Sequence, residues 1–252
     1  MMNITPTVKQ LLIINVIFFI GSNLVGDRAY ELFSLYLFEN NKFQIWQPLT
    51  HMFMHAELPN FMHILFNMFA LYSFGSALEH FWGGKKFLFF YISCGLGAAV
   101  LHTGINYYEF NSGLQSLVEA GFDKADIYGL LNNRQIDTRW VEILGQSGVD
   151  SFASGFATPA VGASGAIYGL LVAFAFMFPN AELALMFIPI PIKAKYFVPG
   201  ILAVDLFLGL NGGSIFGSSS GIAHFAHIGG ALTGFLMMWY WKKNQFNNNR
   251  WN

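Results

Sequence analysis

Charge is what this sequence has least of. Only 11% of its residues are Asp, Glu, Lys or Arg, against roughly 25% in an average soluble domain. The net charge is −1, with no basic tract and no long acidic run, so nothing in the composition points to nucleic acid or an anionic surface as partner. A single cysteine, Cys94, excludes an internal disulfide and a cysteine metal cluster; in its apolar stretch it reads as a small packing residue. Internal repeats are lacking, and Asn247-Asn248-Asn249 is all there is of low complexity.

Apolar residues fill the space that charge leaves. They make up 54% of the 252 residues and come in long blocks. A helix needs about 20 mostly apolar residues to cross a bilayer, and six segments qualify, at about 8–25, 60–82, 86–106, 163–179, 196–211 and 222–241. The expected fold is therefore an all-α membrane protein, one membrane domain over 1–252. No convincing small-residue cleavage site follows the first block, which predicts a retained helix rather than a signal peptide.

Lys and Arg set the expected orientation. One side collects Lys9, Lys85, Lys86, Lys193, Lys195, Lys242, Lys243 and Arg250 in short segments; the other holds Arg28, Lys42, Lys124, Arg134 and Arg139, spread through long stretches that carry most of the acids. Short Lys-rich loops stay in the cytoplasm, so both termini are expected inside, with 242–252 as a short cytoplasmic tail. Two outer segments are longer than a connection needs. Residues 26–59 mix Tyr36, Phe43, Trp46 and Phe53 with scattered charges, as expected of helices lying in the headgroup layer. Residues 107–160, between the third and fourth spans, combine Leu130-Leu131 with Asp123, Asp126 and Glu142, which predicts short amphipathic helices on the outer face.

Polar groups inside spanning helices are costly, and they mark function or close helix contacts. Here they cluster. The fourth span opens Gly162-Ala163-Ser164-Gly165-Ala166-Ile167-Tyr168-Gly169, the sixth carries His224 and Ala226-His227-Ile228-Gly229-Gly230 with Gly234, and the second carries His63 and Asn67. Ser164 and Tyr168 share a helix face beside the stripe Gly165, Gly169 and Ala173, while His227, Gly230, Ala231 and Gly234 share a face of the sixth span. Packing those small-residue stripes together brings the Ser164 hydroxyl to the His227 ring, the base that a serine nucleophile requires. Ser164 near a helix start also has free N–H groups for a developing oxyanion, and His63 and Asn67 offer side-chain donors to the same oxygen. A soluble nucleophile elbow is excluded, since Ala166 replaces its last glycine and no strand precedes it. His51 and His55 are four apart, yet no third ligand has a fitting spacing, so no metal is expected.

These residues together resemble the rhomboid intramembrane serine proteases. The resemblance rests on Gly162-Ala163-Ser164-Gly165 with Tyr168, on Ala226-His227-Ile228-Gly229-Gly230 with Gly234, on His63-x-x-x-Asn67, and on Gly75-x-x-x-Glu79-x-x-x-Gly83; it covers about 45–110 and 160–240. It implies a six-helix bundle with Ser164 as nucleophile and His227 as general base, a dyad without a third acid. It further implies that Tyr168 supports the His227 ring, that His63, Asn67 and the Ser164 N–H form the oxyanion hole with Gly162 in the supporting set, and that His55 is a polar contact near the mouth. His224 is expected to be an interfacial neighbour of the site. No cofactor is implied; the implied partners are single-span membrane substrates and the bilayer, and the implied location is a bacterial inner membrane.

Three departures stand out. Trp46-Gln47 takes the place of a common Trp-Arg, the His55–His63 stretch is longer than usual, and so is 107–160. A Gly- and Ser-rich loop over 211–221, with Ile215-Phe216 at its tip, is expected to cap the site. Two other functions compete. One is an inactive relative that binds membrane clients, although both Ser164 and His227 are present. The other is a transporter, although repeats are lacking and Asp205 is the lone acid deep in a span.

Overall fold

The computed structural model describes residues 3–185, 188–210 and 222–245. Helix α1 (Pro6–Val25) starts with Pro in its first turn, where the missing N–H costs nothing, and stops at Gly26 with φ 73°. Its free N-terminal N–H groups find a partner far along the chain. Glu79 accepts from the N–H groups of Thr7 at 2.9 Å and Val8 at 2.8 Å and from the Thr5 hydroxyl at 2.5 Å. A carboxylate at this position satisfies two orphan donors and lies at the positive end of the helix. It clamps α1 to the end of the second apolar helix.

The segment after α1 folds as α2 (Asp27–Phe33), α3 (Gln47–Thr50) and a 3₁₀ turn at His51–Phe53. Next comes a rod of three pieces: α4 (Phe61–Ala70), a π turn at Leu71–Gly75 and α5 (Ser76–Trp82). Gly83, with φ 75°, reverses the chain into α6 (Gly84–Glu119). At about 1.5 Å per residue, its 36 residues run about 54 Å, well past a hydrocarbon core of about 30 Å. The expected third span, 86–106, is thus only the first part of one continuous helix. The count of apolar residues stops near Asn106-Tyr107-Tyr108-Glu109, but beyond it Phe110, Leu114 and Leu117 keep one buried face, and the helix goes on as an amphipathic one.

That face packs on α7 (Lys124–Asn132) and α8 (Trp140–Ala157). Asp123 caps α7 by accepting from the N–H groups of Ala125 and Asp126. Leu37, Phe110, Leu117, Ile127, Trp140, Phe152 and Phe156 form a second apolar core here, separate from the one built on Leu71, Phe87, Phe90 and Leu170. α9 (Ser164–Met177) follows, then an antiparallel pair, β1 (Glu182–Leu185) and β2 (Ile188–Lys193), with Glu182 opposite Lys193. This short strand pair is an addition to a mostly helical chain. Ile188-Pro-Ile-Pro-Ile alternates with period two, and its prolines suit an isolated pair better than a helix. α10 (Ala194–Leu210) and α11 (Ile222–Gln245) complete the described chain.

Helices α6, α9 and α11 make the most extensive contacts, with α10 against α11 at the edge. Among the described residues, three helices are long and apolar enough to cross a membrane, Pro6–Val25, Phe61–Trp82 and Gly84–Glu119, and Ser164–Met177 is a shorter apolar helix. Large apolar side chains cover the outside: Ile17, Leu24, Phe89, Val100, Phe207 and Leu210 are each more than 60% exposed. Such a surface suits lipid rather than water.

Candidate active site

Two helix backbones meet at glycine. A Cβ built on Gly230 of α11 would stand 1.8 Å from the Gly165 carbonyl oxygen of α9, and one on Gly234 would stand 2.8 Å from Gly169 Cα. No side chain fits there, so the helices cross in backbone contact. On this crossing, Ser164 begins α9 and His227 lies one turn before Gly230 and Ala231 on α11. Ser164 Oγ lies 2.9 Å from His227 Nε2. The Tyr168 ring stacks on the imidazole, centroids 4.2 Å apart and planes within 7°.

Gly162 has φ 128°, a conformation that only glycine adopts readily, and its N–H donates to the His51 carbonyl at 2.9 Å. A methyl group here would lie 3.1 Å from His63 Nε2 and 3.5 Å from Ser164 Oγ. The missing side chain therefore leaves a gap between those two groups. The N–H of Ala56 donates to His63 Nδ1 at 3.0 Å, so this nitrogen is the acceptor. In the neutral ring the proton then sits on Nε2, which faces the gap. Ser164 is in the first turn of α9, where N–H groups lack helical acceptors. Asn67 is one turn along from His63 and donates from Nδ2 to the His63 carbonyl at 2.7 Å, so one of its two N–H groups is committed within the helix. His55 is buried against the His63 ring, centroids 5.3 Å apart, and its carbonyl accepts from the Tyr30 hydroxyl at 2.9 Å.

Behind His227 stands a group that the motif reading passed over. Asp205 of α10 has Oδ1 3.2 Å from His227 Nδ1 and 2.5 Å from His224 Nδ1, and it hydrogen-bonds Tyr168 as well. The resemblance implies a dyad with no third acid; the structure places the Asp205 carboxylate beside His227 Nδ1. His224, expected as a neighbour of the site, is buried and joined to the same carboxylate. The signal available was Asp205 itself, a lone acid in an apolar helix. Asp205, His224 and His227 also form a trio with metal-ligand chemistry. Two ligand atoms on one zinc lie roughly 3.3–3.6 Å apart for tetrahedral bonds of 2.0–2.2 Å, so the 2.5 Å contact suits a hydrogen bond instead.

The segment between α1 and α4 is anchored without an arginine. Gln47 is fully buried; its Nε2 donates to the carbonyls of Glu31 at 3.0 Å and Lys42 at 2.9 Å, and its Oε1 accepts from the Tyr36 N–H at 3.3 Å. The expected cap over 211–221 lies outside the described residues.

The rhomboid domain model matches residues 42–244. The chain belongs to the rhomboid family. Among curated proteins, this rhomboid is similar to the rhomboid protease GlpG of Salmonella choleraesuis, 33% identical over 84 residues, which is 33% of this chain and 29% of the relative. The GlpG proteins of Salmonella paratyphi A and Salmonella typhi match over the same length at 32% identity. The matched stretch is thus under a third of those relatives, while the domain match spans both Ser164 and His227. Family membership and the apolar helices make this rhomboid an integral membrane protein.

Proposed function

We propose that this rhomboid is an intramembrane serine endopeptidase that cleaves single-span membrane proteins in or near their transmembrane segment. The observation that carries the reading is the 2.9 Å contact between Ser164 Oγ and His227 Nε2 at the start of α9. There the Ser164 hydroxyl donates to the ring, its oxygen attacks the scissile carbonyl as Nε2 takes the proton, and the ring later gives that proton to the leaving amine. The developing oxyanion fills the gap beside Gly162, with the Ser164 N–H, His63 Nε2 and the second N–H of Asn67 proposed as its donors. Stacked Tyr168 holds the imidazole in plane.

Catalysis then takes place in a bundle of six spans with both termini in the cytoplasm, the last three being α9, α10 and α11. A substrate helix must unwind to offer its carbonyls, because helical hydrogen bonds hide them. Small residues near the scissile bond favour that unwinding and fit beside glycine. The second reading is an inactive member that binds clients, and the GlpG relatives, named as proteases, favour the first. Purified protein in liposomes, incubated with a panel of single-span substrates, decides between them. Wild type should cleave at least one and folded Ser164→Ala none; equal cleavage by both would leave client binding as the function.

A further inference from the structure

The acid behind His227 sits where carboxylates are expensive. Asp205 is 6% exposed on an apolar helix, and an ionised carboxylate in such a place persists only when donors surround it. Here three are supplied from two other helices: Nδ1 of His224 at 2.5 Å, Nδ1 of His227 at 3.2 Å, and Tyr168. Each histidine presents the same ring atom to one oxygen, Oδ1. A carboxylate can only accept, so His227 carries its proton on Nδ1 and keeps the Nε2 lone pair for Ser164.

We propose that Asp205 is the positioning residue of His227, completing an Asp205–His227–Ser164 line, with His224 as the second anchor that holds the carboxylate in place. The inference rests on the serine protease reading. When Oγ–carbon bond formation sends the Ser164 proton to Nε2, the imidazolium is stabilised by Asp205, which neither gains nor loses a proton; the Nδ1 proton stays on the ring. The 3.2 Å contact belongs to the substrate-free protein, and such contacts shorten as charge develops on the ring. A purely structural link between α10 and α11 is the alternative. His224 alone would serve that purpose, whereas the line to Ser164 needs the carboxylate at His227 as well.

The test compares wild type, Ser164→Ala, His227→Ala, Asp205→Asn and the His227→Ala/Asp205→Asn double variant in liposomes. Cleavage kinetics and Ser164 labelling by a fluorophosphonate are both measured. Asp205→Asn should lower kcat by about 10²–10⁴-fold with KM nearly unchanged, since an amide tolerates the wrong tautomer. In the His227→Ala background the same substitution should cost nothing further. A folded Asp205→Asn protein with wild-type kcat, or an additive loss in the double variant, overturns the assignment and leaves a structural link. Should Asp205→Asn fail to fold, ¹⁵N-histidine spectra of the wild type decide: the His227 signals, identified by their loss in His227→Ala, must show a protonated Nδ1 and a bare Nε2. The opposite tautomer overturns the proposal. If the wild type neither cleaves nor labels, the protease reading itself falls and this assignment with it. Wild-type activity that is lost in Ser164→Ala but kept in Asp205→Asn defeats the positioning role alone.

Discussion

At the scale of single residues, the proposed dyad makes one device of Ser164 and His227, because a hydroxyl without its base is inert and a base without the hydroxyl has nothing to activate. Either alanine substitution should abolish phosphonate labelling, and the double variant should be about as inactive as each single one. Losses that multiply would separate the two residues. Gln47 has a different task, as its amide satisfies two carbonyls and one N–H in a buried site. Gln47→Ala leaves those groups unpaired and should lower stability by about 1–3 kcal/mol. Gln47→Glu, isosteric but acceptor-only, should be at least as damaging; both are read by thermal unfolding in detergent. Two further buried side chains of the segment between α1 and α4 should respond to pH. Burial holds the His51 ring down at about 4 and the His55 ring at about 3, where the nearby His63 adds to the effect. Above the free-imidazole value of about 6.5 neither state takes a proton and stability is full. As pH falls below it, the unfolded chain takes up protons that the folded chain refuses, so stability is lost at up to about 1.4 kcal/mol per pH unit for each ring. Unfolding temperatures should therefore drop from about pH 7 to pH 5, with the drop reduced in His51→Asn/His55→Asn; an unchanged slope would count against these two rings.

At the scale of elements, helix contact is decided by what glycine leaves out. Gly230→Ala would put a methyl group 1.8 Å from a backbone carbonyl. Backbone cannot step aside as a flexible side chain does, so α9 and α11 must separate, at a cost of at least about 3 kcal/mol. Separation also draws His227 away from Ser164. The variant should unfold at a lower temperature and lose labelling, while Gly200→Ala on α10, where a Cβ meets nothing within 4 Å, should be near neutral; a stable, fully labelled Gly230→Ala protein would refute the backbone contact. The small-residue stripes, Ser164, Tyr168 and His227 were legible because chain periodicity within a helix puts them on one face. Asp205 was visible only as an anomaly, since no spacing rule relates one helix, α10, to another, α11. The run of α6 past residue 106 was hidden for another reason: hydropathy registers where lipid stops, not where a helix stops. The tie between Glu79 and the start of α1 spans over 70 residues and leaves no local trace.

At the scale of the whole molecule, side chains sort the chain into two ends. Lys86 lies over the Trp241 ring at 4.1 Å, and Glu79 holds the start of α1, so the beginnings of α1 and α6 and the end of α11 share one end. At the other, residue 35 exchanges backbone hydrogen bonds of 2.9 Å with residue 160, and Asn40 donates to the Phe156 carbonyl at 2.7 Å. The long segment after α6 is thereby bound to the segment that precedes α4. Packing fixes that these ends oppose each other, but not which one faces the cytoplasm; that comes from charge. Lys85, Lys86, Lys242 and Lys243 lie at the first end, close to helix termini where basic residues govern insertion, whereas Lys124, Arg134 and Arg139 lie in a long acid-containing stretch where they count for little. A reporter fused after Asn252 should read cytoplasmic, and one inserted near Asn132 should read external. Removing the lysines at 85, 86, 242 and 243 should weaken that preference, because they supply the bias. Two reporters on the same side would contradict the packing, and two reporters exchanged would contradict the charge argument while leaving the Ser164–His227 geometry untouched.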